Sequence, residues 1–188
     1  MAEAPALSID QAADCLRAGG VIAYPTEAVF GLGCDPRNEA AVRKILALKQ
    51  RSPDKGLILL ADHFARFSPY AGDVAPEQLE RAMVTWPGPV TWLFPRGKAV
   101  PGWLAGDHPT IALRVSSHPV CVALCAAFGH AIVSTSANPA AEVPAKSASQ
   151  VDDYFGKAID GIVVGEVGGQ QHPSEIRDLG SGAVVRPA

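Results

Sequence analysis

The stretch that most constrains this chain is Tyr24-Pro25-Thr26-Glu27-Ala28-Val29-Phe30-Gly31-Leu32-Gly33-Cys34. The apolar run Val21-Ile22-Ala23 leads into it and predicts a short buried strand. Pro25 has no amide hydrogen, so ladder pairing should weaken there. A hydroxyl, a carboxylate and two glycines follow. This pattern has two readings. One is a strand that stops and opens into a loop, with the glycines, lacking a Cβ, letting a ligand approach closely. The other is a hairpin or strand-to-helix turn that binds nothing. The stretch alone leaves both open.

Composition sets the outer limits. A chain of 188 residues can bury a proper core, and one domain over residues 1–188 is the simplest expectation. Hydrophobic residues at 48% and charged residues at 19% mark a globular protein. A net charge of −3 implies no bulk attraction to nucleic acid, although a local basic patch is compatible with it. The start Met1-Ala2-Glu3-Ala4-Pro5 lacks the cationic and then apolar pattern of a secretion signal. No apolar run approaches the roughly 20 residues a membrane helix needs. A cytoplasmic protein without membrane contact is expected.

The cysteines, Cys15, Cys34, Cys121 and Cys125, contain no Cys-x-x-Cys pair, and the histidines have no ligand spacing. No protein-held metal site is therefore expected. Cys121 and Cys125 share one face of an apolar helical pattern and read as core thiols. Cys34 adjoins the opening stretch and is the one thiol to watch. His118, before Pro119, reads as structural.

In chain order, Ser8-Ile9-Asp10-Gln11 is a capping box that starts a helix running to about Ala18 and stopping at Gly19-Gly20. Asn38 can cap a second helix with the apolar face Val42, Ile45, Leu46 and Leu48. Leu57 to Ala61 is a continuous apolar run, a buried strand. Further strands are expected over Val90–Phe94, Ile111–Val115, Ala131–Val133, Ile162–Val164 and Ala183–Val185. Further helices are expected near Asp62 and over Pro76–Val84 and Pro119–Phe128, with another, capped by Ser147 or Ser149, running to about Phe155. Strands alternating with helices predict an α/β fold around a largely buried, mixed sheet. Residues 166–173 read as a mobile surface loop.

Two clusters carry candidate chemistry. From Asp35 to Lys55, six cations (Arg37, Arg43, Lys44, Lys49, Arg51, Lys55) stand against three acids, a local charge of +3. A helix C-terminus favours one or two cations through its dipole, but this run continues into a loop. Cations clustered beside a glycine-bearing stretch suit a polyphosphate; the alternative is a solvated face. Ser134-Thr135-Ser136-Ala137-Asn138 follows an apolar strand, where open α/β sheets bind ligands. Its alternative is a Ser/Asn cap or turn. The phosphate loop Gly-x-x-x-x-Gly-Lys-Ser/Thr and the dinucleotide fingerprint Gly-x-Gly-x-x-Gly are both absent, and no Ser/His/Asp order is legible.

Taken together, Tyr24-Pro25-Thr26-Glu27…Phe30-Gly31-Leu32-Gly33, Lys49-Gln50-Arg51, Trp86-Pro87-Gly88-Pro89-Val90-Thr91, Arg114-Val115, Ser134-Thr135-Ser136-Ala137-Asn138, Pro173-Ser174-Glu175-Ile176-Arg177-Asp178 and Arg186-Pro187 occur in this order. The combination resembles the YrdC-type threonylcarbamoyl-AMP synthases in their short bacterial single-domain form, over roughly residues 8–187. The resemblance implies a twisted open mixed sheet with flanking helices and a large, positively lined concave face. It implies that L-threonine, bicarbonate and ATP give threonylcarbamoyl-AMP and pyrophosphate. The product then serves threonylcarbamoyladenosine formation beside the tRNA anticodon, by a separate threonylcarbamoyl transferase complex. Direct binding of tRNA or double-stranded RNA is a further implied partnership.

By resemblance, Lys49 and Arg51 grip the ATP phosphates as the catalytic pair. Arg186, Ser136 and Asn138 assist, and Lys55 and Thr110 are outlying nucleotide contacts. Thr26, Arg114, Ser134 and Ser174 frame the threonine, with Arg114 pairing its carboxylate bidentately. Mg²⁺ is expected on the triphosphate, through phosphate oxygens and water. Such a transfer runs on positioning and charge neutralisation, which explains the missing nucleophile. Glu27 is left between orienting Thr26 and orienting Lys49. Ala28 and Phe30 stand where a Thr and a Tyr are frequent, Pro139-Ala140-Ala141 departs from the usual hydroxyl and glycine, and Leu60 stands where longer members carry a polar, substrate-facing residue. Two rivals are an RNA-binding or ribosome-maturation module without ATP turnover, motivated by the basic segment, and a carbamoyl-adenylating domain of the kind used in hydrogenase maturation.

Overall fold

The computed structural model describes residues 3–188. Its strands are β1 (Ala6–Leu7), β2 (Ile22–Pro25), β3 (Phe30–Gly33), β4 (Ile58–Ala61), β5 (Val90–Pro95), β6 (Thr110–Val115), β7 (Ile132–Ser136), β8 (Gly161–Val163), β9 (Glu175–Asp178) and β10 (Val184–Arg186). Its helices are α1 (Ile9–Arg17), α2 (Glu39–Leu48), α3 (Pro76–Met83), α4 (Gly102–Ala105), α5 (Pro119–Phe128) and α6 (Ala148–Phe155). The strands form one mixed sheet in the order β1-β8-β2-β3-β7-β4-β6-β5-β9-β10.

Local chemistry accounts for the helix starts. The Ser8 hydroxyl accepts from Gln11 N while the Gln11 side chain accepts from Ser8 N, the expected reciprocal box. Asn38 Oδ1 accepts from Ala41 N, and Ser147 Oγ from Gln150 N. Gly129 takes a left-handed φ of 84° and stops α5.

The strands show period-2 alternation, and it decides the layers. Leu59, Val133 and Ile162 join one core with Val42 and Ile45 of α2, Leu104 of α4 and Val151 of α6. Their neighbours Leu60, Ile132 and Val163 join a second core with Leu16 of α1 and Leu124 and Phe128 of α5. The first face of the sheet is thus covered along β5 and β6 as well, where Trp92, Phe94 and Leu113 belong to the same core. On the second face, α1 packs on β1, β2 and β8, and α5 on β2 and β4. Past β4 that face has no helix above it. There Leu93 of β5, Thr110, Ala112 and Arg114 of β6 and Ile176 of β9 line a cavity instead.

β2 ends at Pro25 as expected, and it forms an antiparallel hairpin with β3 in which Pro25 stands opposite Phe30. On its other side β2 meets β8 only through Ile22 and Ala23, so no ladder bond is asked of Pro25 there. Two other elements differ from the sequence expectation. Ser134 and Ser136 lie within β7 rather than in a loop after it. The charged stretch Glu175–Asp178 forms β9 because it finds a parallel partner in β5, a pairing no local pattern announces.

Leu60 is fully buried under α5, so it faces core rather than substrate. Cys34, Cys121 and Cys125 are also fully buried. Burial pushes all three thiols up, Cys121 to about 12. The Cys121 and Cys125 Sγ–H groups donate to Pro25 O and Leu60 O, at 3.4 and 3.7 Å. Among the described residues, no helix is long and apolar enough to cross a membrane.

Leu60→Ala is expected to cost about 2–5 kcal/mol in urea unfolding, as for a buried leucine in a site that cannot collapse. Native-state alkylation followed by mass mapping is expected to label Cys15, which is only half-buried, and to spare Cys34, Cys121 and Cys125 until denaturant is added.

Candidate functional site

The uncovered half of the second face is a cavity of about 510 Å³. One wall is the turn of the β2–β3 hairpin. Thr26 closes it, with N and Oγ1 both donating to Val29 O at 3.0 and 2.7 Å. The stretch is a hairpin, and Thr26 to Gly31 line the cavity. The glycines, however, answer first to Tyr24. A Cβ on Gly33 would stand 2.7 Å from the Tyr24 ring and 2.7 Å from Val133 O, and Gly33 does not line the cavity.

The cations enter from the end of α2. Gln50 adopts φ 48°, Gln50 N donates to Ala47 O and Arg51 N reaches back to Leu46 O, a Schellman ending with glutamine in the left-handed position. A non-glycine residue there costs about 1 kcal/mol, and the turn aims Arg51 at the cavity. Its Nη2 donates to Gly56 O at 2.9 Å, while its Nε is buried without a partner. Lys55, Thr110, Arg114, Ser134, Ser136, Ser174 and Arg186 line the same cavity.

Lys49 and Asn138 do not line it. The Lys49 ammonium, buried at the helix end, donates to Ser136 O at 2.5 Å, Asn138 O at 2.8 Å and Asn138 Oδ1 at 3.2 Å. Asn138 Nδ2 in turn donates to Pro139 O and Glu142 O. The two residues form a buckle behind Ser136. Burial, and then Arg51, pulls the Lys49 pKa down to about 8, which leaves the amine charged at neutral pH.

Electrostatics marks the cavity as an anion site. Arg51, Lys55, Arg114 and Arg186 face one side-chain carboxylate, Glu27. Burial lowers the pKa of Arg51 and of Arg186, and Arg114 and Arg51 lower Arg186 further. Half-buried guanidiniums gathered in one cavity leave room for negative charge. Arg186 Nη2 is braced by Ser174 O at 2.7 Å, and Ser174 Oγ shares a hydrogen bond of 3.0 Å with the buried Thr91 Oγ.

Glu27 orients neither Thr26 nor Lys49. Its Oε1 accepts from Ser116 Oγ at 2.6 Å and Ser117 N at 3.3 Å, and its Oε2 stands 3.4 Å from Arg114 Nη2. Burial alone would raise its pKa; Arg114 and the two hydrogen bonds outweigh that and hold it below the ordinary carboxylate value. Residues 166–173 are docked rather than free: Gly168 N donates to Thr26 O at 2.9 Å, Gln170 N to Glu27 O at 3.1 Å and His118 Nε2 to Glu166 O at 3.1 Å. Sequence reasoning missed Thr91, Ser116 and the Glu27–Arg114 pair. Thr91 had a signal, a lone hydroxyl between Val90 and the core residue Trp92; the others join segments far apart in the chain.

Outside the cavity Arg37 pairs with Asp35 at 2.7 Å, Arg43 with Glu39 at 2.6 Å and Lys44 with Asp160 at 2.7 Å.

Comparison with known proteins agrees with this geometry. The family model for the Sua5, YciO and YrdC domain, described as Telomere recombination, matches residues 14–188. The threonylcarbamoyl-AMP synthase of Cellvibrio japonicus is 50% identical over 180 residues, 96% of this chain and 95% of that protein. The structure of E. coli YciO superposes with a TM-score of 0.85 at 29% identity, over 99% of this chain and 95% of that one. P. abyssi Sua5 complexed with L-threonine gives a TM-score of 0.89 at 29% identity, over 100% of this chain and 57% of that one. A model match across most of the length, relatives at half identity over nearly their full length and a shared fold lead to one conclusion: the chain belongs to the Sua5/YciO/YrdC family.

Proposed function

We propose that this protein makes threonylcarbamoyl-AMP from L-threonine, bicarbonate and ATP, releasing pyrophosphate and water. The observation that carries the reading is the convergence of Arg51, Arg114 and Arg186 on one half-buried cavity that holds a single side-chain carboxylate. Two anionic substrates and a triphosphate need such a site, because each charge taken from water must meet a fixed counter-charge.

Two sets of residues divide the work. Arg51, Lys55 and Arg186 hold the triphosphate, with Thr110 and Ser136 beside them. Arg114, with Thr26, Ser134 and Ser174, holds the threonine. The N-carboxylate formed from threonine and bicarbonate is a weak nucleophile. Holding it in line with the α-phosphorus supplies the effective molarity, and the guanidiniums offset the charge gathering on the departing pyrophosphate. Lys49 and Asn138 act one step back, fixing the end of β7 on which Ser134 and Ser136 stand. Mg²⁺ arrives as part of the nucleotide substrate. Phosphate oxygens and water would carry the metal. The adenylate then passes to a separate transferase that modifies adenosine in tRNA, within the cytoplasm.

Pyrophosphate release with Mg²⁺-ATP is expected to require both threonine and bicarbonate; release that ignores both omissions would sink the reading. Arg51→Ala is expected to cut kcat/KM by about 100-fold or more, as for loss of one preorganised charge in a transition state, with unfolding stability within about 0.5 kcal/mol of the parent. Lys49→Met is expected to differ in kind. Ser136 O keeps its bond from Asn138 N, but Asn138 O loses its donor, which should cost about 1–3 kcal/mol of stability, so the activity loss comes with a lowered unfolding midpoint.

A further inference from the structure

Glu27 touches neither substrate in the reading above, yet it is tied down more completely than any other charged group in the cavity. Its Oε1 takes two hydrogen bonds, from Ser116 Oγ at 2.6 Å and Ser117 N at 3.3 Å. Ser116 Oγ is itself oriented, because it accepts from His118 N at 3.1 Å and so turns its proton towards Glu27. The Glu27 main chain is held from the other side, its carbonyl accepting from Gln170 N at 3.1 Å. Two distant segments thus hold this residue, 114–118 at its carboxylate and 168–170 at its main chain.

The second oxygen is treated differently. Glu27 Oε2 is buried, has no hydrogen-bond partner, and faces Arg114 Nη2 at 3.4 Å. Arg114 is 7% exposed, and its Nε is buried without a partner too. A guanidinium carries five donors in a fixed plane. Burying one with so few of them satisfied costs several kcal/mol unless a counter-charge stands close by. Glu27 supplies that charge at a distance too long to saturate the donors. The guanidinium stays charged and desolvated, with its donors left for a planar, bidentate ligand.

We infer that Glu27 is the positioning residue of the amino-acid subsite: held by Ser116 and Ser117, it aims and charge-balances Arg114 so that the guanidinium receives the carboxylate of the amino-acid substrate. The inference rests on the assignment of Arg114 to threonine. It gives Glu27 an effect on threonine and not on the nucleotide, which Arg51, Lys55 and Arg186 hold without it.

Glu27→Gln isolates the charge. The amide oxygen still accepts from Ser116 and Ser117, the volume is unchanged, and an NH₂ now meets the Arg114 donors. In the full-length protein, with pyrophosphate release as the readout, KM for L-threonine is expected to rise about tenfold or more, while KM for ATP stays within about twofold. Ser116→Ala keeps the charge and removes its anchor. It is expected to move the threonine KM about threefold in the same direction, again sparing ATP. Equal rises in both KM values, or a lower kcat with the threonine KM unchanged, would overturn the inference. A Glu27→Gln protein too unstable to assay leaves Ser116→Ala to decide, and an unshifted threonine KM in that variant overturns it as well. A parent enzyme whose turnover ignores threonine would instead bring down the functional assignment itself.

Discussion

Helices α1 and α5 pack on β1, β8, β2 and β4 on one side of the sheet and then stop, while the opposite side is covered along β6 and β5 as well. The rest of the molecule follows from that missing layer. A strand cannot leave an apolar row facing water, so beyond β4 the outward positions change character. Leu60 of β4 meets α5, whereas its neighbours in β6 present Thr110, Ala112 and Arg114 to a cavity. The other side of β6 remains ordinary core, with Ile111, Leu113 and Val115 buried. One strand thus serves stability with one face and chemistry with the other, which a period of two permits and a helix would not.

Filling that gap with arginines has an energetic consequence. Burial lowers the pKa of Arg51 and Arg186, and for Arg186 the neighbouring Arg114 and Arg51 add to it. The cations are held by neutral braces: Gly56 O for Arg51, Ser174 O for Arg186, and Ser136 O and Asn138 O for Lys49. Glu27 is the one charge that compensates. A site strained in this sense gains from any ligand that brings negative charge, and its specificity then depends on where the donors point.

How much of this was legible varies with the range of the interaction. Capping residues such as Ser8, Asn38 and Ser147 act over three or four positions, so their helices could be read directly from the chain. Buried strands of continuous apolar character, such as Leu57 to Ala61, were equally plain. Among the motif residues, Arg51, Arg114, Ser134, Ser174 and Arg186 come together in one cavity. Lys49 and Asn138 belong to the same motifs, and they stand behind its wall. Sequence cannot separate a lysine that lines a site from one that buckles it, because both are the same residue at the same helix end. Residues 166–173 looked mobile by composition, but two backbone hydrogen bonds to the hairpin turn dock them.

By itself the sequence determined the helix caps, the buried strands, the α/β class and the concentration of cations before Lys55, because these depend on neighbours within a turn or two. It also carried, in the order of its motifs, enough to indicate the family. The tertiary structure alone decided which cations face the cavity. Arg37, Arg43 and Lys44 found carboxylates on the outside, one of them the distant Asp160, and only Arg51 and Lys55 of that run were left facing the cavity. It also decided that Glu27 belongs to Arg114, since the two are 87 positions apart in the chain and meet only when β6 takes its place beside β4. Charge is a property of a residue, but its use depends on what lies within about 4 Å of it, and chain folding sets that distance.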